Sequence, residues 1–323
     1  MPIPLQFSSY QFASPQTGPR LIVLGAVHGN EVCGTLGIRR LLAEFESGAR
    51  VLKQGCVTLV PVTNPLAYNK GERSGDRNLN RNFAPTTTPL EFEDRIANWL
   101  CPLLAQHDVL LDLHSFQSKG QAFVFMGPHD NAGTLEPFMH AAKEEALARC
   151  LGVSRAVDGW LSTYALGVKR RVALFGEADS RQMQLNTDPC YGMGTTEWMR
   201  RCGGWALTLE CGQHQDPAAP DVAYQAILNT LAHLGLIDAP APAPVDGMEA
   251  LSLYEVIDRM HADDQFVREW VSFDEVKKGE QIATRADGTP VLAVDDGRIV
   301  FPNVKSQVGQ EWFYLARESG RLG

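Results

Sequence analysis

Three apolar runs of this 323-residue chain end near a side chain of the kind that binds metal ions or protons. The run LIVLGAVHGNE contains His28 and Glu31, VLLDLHSF contains His114, and WALTLECG contains Glu210. Parallel strands bring residues near their carboxyl ends to one edge of a sheet, where ligands gather in α/β folds. The sequence therefore favours a fold that collects these distant strand ends at one point.

Strand-like and helix-like runs alternate over most of the chain. We predict strands at residues 20–24, 57–60, 109–113, 122–126 and 206–209, and helices at residues 31–45, 90–106, 134–151 and 219–236. This alternation is typical of an α/β fold with a largely parallel sheet flanked by helices. Residues 176–197 contain three glycines and little periodicity, which predicts a long loop of the kind that usually serves function.

A proline-alternating segment, DAPAPAPV at residues 238–245, indicates an extended linker. We therefore predict a main domain at residues 1–237 and a small β-rich domain at residues 246–323. In this second part we predict strands at residues 252–260, 263–273, 281–284, 291–294, 297–300 and 312–316, with turn signals that include Asp287-Gly288 and Asp296-Gly297. All the candidate site residues lie before the linker, so we expect the C-terminal part to shape access rather than to take part in chemistry.

Composition narrows the classes of partner. The net charge of −9 disfavours nucleic acid and anionic membrane surfaces as partners. The sequence contains no apolar run of 18 or more residues, which is the minimum typical of a membrane span. Its seven cysteines form no C-x-x-C pair, which favours a reducing compartment, so we expect a cytoplasmic protein. A small anionic substrate is the expected partner, and a homo-oligomer is left open.

His28, Glu31 and His114 form the donor set expected for a catalytic zinc ion. Two histidines and one carboxylate bind zinc and leave a fourth position for water. Gly25 and Gly29 permit the tight turn that would direct His28 and Glu31 to one point. Taken singly, Glu31 could be a first-turn carboxylate favoured by a helix dipole, and His28 could be a loop histidine. Together with His114, they favour one zinc ion per chain.

Glu210 is the candidate general base. Its position after the run WALTL mirrors the positions of the candidate ligands, so we expect it to accept a proton from water and to deliver it to a leaving amine. Asp112 lies two residues before His114 and shares its side of the strand. It could orient a ligand histidine or cap a helix or turn. His214, four residues after Glu210, is a further candidate neighbour of the site.

One segment is basic against the acidic background of the chain. The sequence YNKGERSGDRNLNRNF, residues 68–83, holds four basic and two acidic side chains. Guanidinium groups can grip a carboxylate through paired hydrogen bonds and can stabilise a developing oxyanion. We therefore expect Arg73, Asn80 and Arg81 to bind a small anionic substrate, with a solvated polar loop as the alternative.

The chain resembles the succinylglutamate desuccinylase/aspartoacylase family, within the zinc carboxypeptidase-like group, in four motifs taken together: VHGNE, R-x₄-N-L-N-R, LDLHSF and LTLECG. The motifs occur in the family's order, and the β-rich tail is similar to the family's small C-terminal domain. The resemblance implies a zinc-carboxypeptidase-like mixed sheet. It also implies a zinc-dependent hydrolase that cleaves the amide bond of a small, carboxylate-bearing N-acyl amino acid or similar compound.

The resemblance also implies roles for single residues. It implies that the zinc ligands are His28, Glu31 and His114 and that the general base is Glu210. It also implies that Arg73 polarises the scissile carbonyl and that Asn80 and Arg81 bind a substrate carboxylate. Arg200 would be a further substrate-binding arginine. Two departures concern the substrate: Asn78 replaces the family's usual aspartate, and residues 176–197 do not match. A metallocarboxypeptidase, an esterase and a non-catalytic binding protein remain alternatives. Loss of Glu210 or of a metal ligand would mark the last of these.

Overall fold

A mixed eleven-stranded sheet organises the chain in the computed structural model, which describes residues 4–175 and 187–322. The strands are β1 Tyr10–Ala13, β2 Arg20–Leu24, β3 Cys56–Val60, β4 Val109–Phe116, β5 Phe123–Phe125, β6 Arg155–Asp158, β7 Trp205–Gln213, β8 Glu249–Asp258, β9 Gln265–Phe266, β10 Glu275–Val276, β11 Gln281–Thr284, β12 Pro290–Leu292, β13 Gly297–Val300 and β14 Glu311–Glu318. Strands β9, β11 and β12 form a separate three-stranded sheet.

The large sheet has the order β1-β3-β2-β4-β7-β5-β6-β8-β14-β13-β10. Its four central strands, β3, β2, β4 and β7, run parallel, whereas β1 and β5 flank them in antiparallel pairs. Because the central strands are parallel, the loops that follow β2 and the last residues of β4 and β7 meet at one edge. This edge holds the candidate site.

Helices cover both faces of the sheet. They are α1 Cys33–Glu46, α2 Pro65–Lys70, α3 Phe92–Leu104, α4 Ala141–Ala148, α5 Trp160–Phe175, α6 Thr195–Arg201 and α7 Ala219–His233. Alternate residues of β2 enter different clusters: Leu21 and Val23 pack with α1 and α7, and Ile22 and Leu24 pack with α3. Burial on both faces explains why the central strands are continuous apolar runs.

The C-terminal strands continue the large sheet. Strand β8 pairs with β6 in parallel, and β14 pairs with β8 in antiparallel. One apolar cluster joins Phe123 of β5 to Tyr314 of β14. Within the predicted linker, the Val245 amide donates to the Arg149 carbonyl at 2.8 Å, so this segment packs on the rest of the chain. The division into two domains at residues 238–245 stays a prediction.

The predicted α/β fold class is confirmed, with differences in detail. The helix predicted at residues 134–151 is shorter, at Ala141–Ala148, and residues 263–273 contain only the two-residue strand β9. Of the predicted loop at 176–197, residues 176–186 lie outside the described part. The remainder holds a 3₁₀ turn at Pro189–Gly192 and the start of α6. None of the described helices is long and apolar enough to span a membrane.

Candidate metal centre

The loop after β2 directs two of the predicted ligands to one point. The Glu31 amide donates to the His28 carbonyl at 3.2 Å, which closes a turn before α1 begins at Cys33. A Cβ atom on Gly29 would lie 2.0 Å from the carbonyl carbon of Ala67, so only glycine fits this close approach. Glu31 precedes the helix rather than lying in its first turn, so the helix-dipole alternative does not account for it.

The three predicted ligands converge. One donor atom from each of His28, Glu31 and His114 lies within 4.8 Å of the others, and all three side chains are buried. The two carboxylate oxygens of Glu31 face different rings: Oε1 lies 2.9 Å from His28 Nδ1, and Oε2 lies 2.8 Å from His114 Nδ1. The Nδ1 atoms and the carboxylate therefore surround a common point.

The outer nitrogens of both rings are held by other side chains. Asn78 Oδ1 lies 3.0 Å from His28 Nε2, and Asp112 Oδ2 lies 3.0 Å from His114 Nε2. Thr195 donates from its hydroxyl to the same Asp112 oxygen. A proton on each Nε2 leaves each Nδ1 lone pair free for a metal ion. Of the two alternatives left open for Asp112, the structure places it beside the ligand histidine.

The charges at this point favour a bound cation. Burial would raise the pKa of Glu31, but His28 and His114 outweigh it and hold that pKa well below its usual range. Burial, followed by the Arg73 charge, lowers the pKa of His28 to about 4, so this ring is neutral. Burial also lowers the pKa of His114, but Asp112 and Glu31 reverse the effect and raise it well above its usual value. An ionised carboxylate and two imidazoles are donors that zinc accepts, so these residues fit the metal.

Glu210 lies beside the ligand set. It stands opposite His114 in the parallel register of β4 and β7. It is buried, and its Oε2 atom has no hydrogen-bond partner in the described part of the chain. Burial raises the pKa of Glu210 to about 8. A buried carboxyl group with an unfilled acceptor and a pKa near neutral is suited to exchange protons with a neighbouring group.

Arg73 reaches the metal centre from the basic segment. Its Nη1 donates to Glu31 Oε1 at 3.0 Å, and half of the side chain is exposed. On the other side, Ser115 donates from its amide to Glu31 Oε2 at 3.2 Å and contacts His214 Nδ1 through its hydroxyl at 2.9 Å. His214 is therefore linked to the ligand set through one residue.

Asn80 and Arg81 form an adjoining wall. Asn80 Oδ1 accepts from the amide of Thr195 at 3.0 Å, the same residue that bonds Asp112. Arg81 is buried with its guanidinium 4.9 Å from the centre of the Trp160 ring. The structure thus brings this pair within a short chain of contacts of His114. The substrate roles of Arg73, Asn80 and Arg81 stay predictions.

Arg200 is not brought to this site. Its guanidinium donates to Glu144 at 2.8 Å, to Glu136 at 2.9 Å and to the Ala206 carbonyl at 2.9 Å. Ala206 lies four residues before Glu210 on β7, or roughly 13 Å at the usual rise of a strand. The substrate-binding role expected for Arg200 stays a prediction, and the structure gives it no support, because the donors of Arg200 are used by buried partners away from the metal centre.

Two residues near Arg81 were not predicted. Glu311 Oε1 lies 4.0 Å from Arg81 Nη2, and Tyr314 of the same strand β14 packs in the cluster that contains Phe116. Both come from the C-terminal part of the chain, where the sequence offered an ordinary β-strand pattern and no motif. A contact across more than 200 residues has no local signal.

Comparisons of the sequence with known proteins find similarity to one family. Residues 17–173 match the model of the succinylglutamate desuccinylase/aspartoacylase catalytic domain. A probable aspartoacylase of Nostoc sp. (strain PCC 7120) is 29% identical over 121 residues, 34% of this chain and 40% of that protein. A second, from Prochlorococcus marinus, is 27% identical over 33% of this chain and 37% of that protein. The aligned segment thus spans less than half of either relative.

Solved structures show a similar fold over nearly the whole chain. A succinylglutamate desuccinylase/aspartoacylase from Rhodobacter sphaeroides has a TM-score of 0.69 at 20% identity, covering 94% of this chain and 87% of that one. The product-bound ectoine utilization protein EutE (DoeB) from Ruegeria pomeroyi has a TM-score of 0.68 at 18% identity, covering 96% and 88%. Residues 17–173, just under half of the chain, are therefore similar to the catalytic domain of the succinylglutamate desuccinylase/aspartoacylase family, and nearly the whole chain shares the fold of these solved structures.

Proposed function

We propose that this chain is a zinc-dependent hydrolase that cleaves the amide bond of a small, carboxylate-bearing N-acyl amino acid or similar compound. One observation supports the proposal most strongly: a buried carboxylate with an unfilled acceptor, Glu210, lies beside the buried His28–Glu31–His114 donor set. The similarity of residues 17–173 to the catalytic domain of this family supports deacylation, because the family is named for two deacylases.

His28, Glu31 and His114 would hold the zinc ion. When bound, zinc supplies Lewis acidity, which lowers the pKa of water and polarises a carbonyl group. The carboxylate of Glu210 accepts a proton from the attacking water and then donates it to the leaving nitrogen. Burial of Glu210 raises its affinity for that proton, which suits a group that must first accept and then release it near neutral pH.

The basic residues act on the substrate. Arg73 donates hydrogen bonds to the carbonyl oxygen as negative charge develops there. The contact of its guanidinium with Glu31 supports this role. Arg81 and Asn80 hold a substrate carboxylate, and the Trp160 ring, 4.9 Å from the Arg81 guanidinium, stabilises its charge. Burial of Arg81 strengthens its attraction for a carboxylate relative to the same contact in water.

A hydrolysis screen tests the proposal. Zinc-loaded protein is incubated with N-acyl amino acids that differ in acyl group and side chain, together with their ester counterparts, and release of amine or alcohol is measured. We expect amide cleavage of carboxylate-bearing compounds, loss of that activity in Glu210→Gln, and normal activity in the exposed control Glu269→Gln. Faster cleavage of the esters would favour an esterase. Full zinc occupancy without turnover would favour a binding protein.

A further inference from the structure

A β-bulge near the start of β14 decides where Glu311 points. Glu311 pairs with Asp258 and Phe313 pairs with the adjacent Ile257, so an extra residue sits in β14 between them. Trp312 and Phe313 both pack into the C-terminal core, whereas Tyr314 packs toward the main sheet. The extra residue therefore places Glu311 on the face of Tyr314, as bulges commonly redirect a side chain.

Glu311 lies between two guanidinium groups that differ in how many of their hydrogen-bond donors are already used. Its Oε1 is 3.6 Å from Arg171 Nη2 and 4.0 Å from Arg81 Nη2. Arg171 is already committed, because its Nε and Nη2 donate to Asp258 at 2.7 and 2.8 Å. Arg81 donates one hydrogen bond, to the Asn80 carbonyl at 2.9 Å, among the described residues. Arg81 thus keeps most of its donors for a ligand.

The carboxylate of Glu311 also has capacity for a ligand. No side chain in residues 4–175 or 187–322 donates a hydrogen bond to it. Burial would raise the pKa of Glu311, but the charges of Arg81 and Arg171 outweigh burial and lower it, so the group is ionised. The adjoining Tyr314 hydroxyl is buried and has no hydrogen-bond partner among the described residues. Buried polar groups are normally satisfied, so this hydroxyl also points to a ligand.

The side chains of Arg81, Glu311 and Tyr314 therefore present both a positive and a negative charge to a ligand. Arg81 and the Tyr314 hydroxyl can donate to a carboxylate, whereas Glu311 can accept from an ammonium group a few ångströms away. The positive charges of Arg81 and Arg171 balance the negative charges of Glu311 and Asp258. A substrate with two carboxylates would place one of them against Glu311, and such like-charge contacts exclude a ligand.

We propose that Glu311 is a specificity-determining residue that selects N-acyl amino acids carrying a cationic amine beside the carboxylate bound by Arg81. This inference rests on the proposed function, because it describes the same site. It names the substrate class as monoacylated diamino acids rather than acylated dicarboxylic amino acids. It also gives the C-terminal part of the chain a role in substrate recognition beyond the shaping of access.

Binding measurements separate this inference from the proposed function. Dissociation constants are measured by calorimetry for Nα-acetylornithine, Nα-acetylglutamate and the uncharged Nα-acetylnorvaline. The protein is zinc-loaded Glu210→Gln, with and without Glu311→Gln, so binding is read without turnover. We expect the ornithine derivative to bind at least tenfold more tightly than the glutamate derivative. Adding Glu311→Gln should reduce that ratio about tenfold and change norvaline binding by less than threefold.

Two further variants complete the design. Glu311→Asp keeps the charge and should keep the preference, and the exposed control Glu275→Gln should behave as the parent protein. Three results would each overturn the inference. The parent could bind the glutamate derivative more tightly, or Glu311→Gln could leave the ratio of the two dissociation constants unchanged. The third is no measurable binding of the ornithine derivative. A normal binding preference without turnover of any of the three compounds by the wild type would instead contradict the proposed function.

Discussion

Two buried polar clusters lie at opposite ends of β7 and differ in how completely they are bonded. Near its carboxyl end, Glu210 faces the His28–Glu31–His114 set, which we call the metal-centre cluster. Near its start, Glu144 accepts from the Ala206 amide and from Arg200, which we call the Arg200 cluster. Both are buried in a sheet core, and both combine basic and acidic side chains.

The Arg200 cluster is saturated, since its guanidinium contacts Glu136, Glu144 and a backbone carbonyl. The metal-centre cluster is not saturated: Glu210 Oε2 lacks a hydrogen-bond partner within the described residues, and the two histidine Nδ1 atoms face the single carboxylate of Glu31. Complete buried networks stabilise a fold, whereas incomplete ones cost stability unless a ligand fills them. We therefore propose a structural role for the Arg200 cluster and a chemical role for the metal-centre cluster.

The largest expected effect is on turnover. Glu210→Gln keeps the shape of the side chain but removes the proton acceptor, so kcat should fall on the order of 10²–10⁴-fold while zinc stays bound. Steady-state kinetics and elemental analysis of the same sample measure both quantities. A variant with near-normal kcat would show that another group is the base.

Arg200→Met tests the other cluster. It leaves Glu136 and Glu144 buried without their cation, so we expect unfolding free energy to fall by about 3–5 kcal/mol, as is typical when one partner of a buried ion pair is removed. Urea denaturation measures the loss, and the exposed Arg40→Met serves as control. A raised KM with unchanged stability would instead return Arg200 to a substrate role.

The pH dependence of stability should differ between metal-free wild type and metal-free Glu210→Gln. The pKa of Glu210 is raised in the folded state to about 8, so its contribution is present below the unfolded value and is lost as pH rises toward 8. The wild type should therefore lose on the order of 4 kcal/mol relative to the variant between pH 4.5 and 8. Parallel stability curves across this range would mean that Glu210 is not perturbed.

A smaller effect is expected from the residues that hold the ligand rings. Removing the acceptor in Asn78→Ala frees the His28 ring, and Asp112→Asn weakens the contact to His114 Nε2. Each should reduce zinc affinity about 10–100-fold, the usual range for such outer contacts. Competition with a chelator of known affinity measures the change. Unaltered affinity in both variants would show that the ring contacts do not tune the metal site.

The metal-centre cluster could be predicted from sequence because its four members lie in or directly after three apolar runs, with His28 and Glu31 sharing one run. Period-two alternation also placed Asp112 on the side of His114, although its role needed the structure. The Arg200 cluster could not be predicted, because its partners lie more than 50 residues away on α4 and in the segment before it. Glu311 was missed for another reason: one bulged residue reverses which face a strand residue occupies.

The fold shows the same division between local and distant signals. The strands β2, β11 and β13 were predicted at their observed bounds because apolar runs and turn signals define them. The pairing of β6 with β8, which continues the large sheet into the C-terminal part, was not predicted. The proline-rich linker lies between these two strands in the sequence and indicated a domain boundary there. Pairing between such strands depends on tertiary packing rather than on local pattern.

Metal content tests the central claim most directly. Wild-type protein, His114→Ala and the exposed control His129→Ala are loaded with zinc, passed through a desalting column and measured by elemental analysis. We predict one zinc ion per chain in the wild type and in the control, and near-background zinc in His114→Ala, because only two donors remain. Full zinc occupancy in His114→Ala would contradict the assignment of His28, Glu31 and His114 as the metal site.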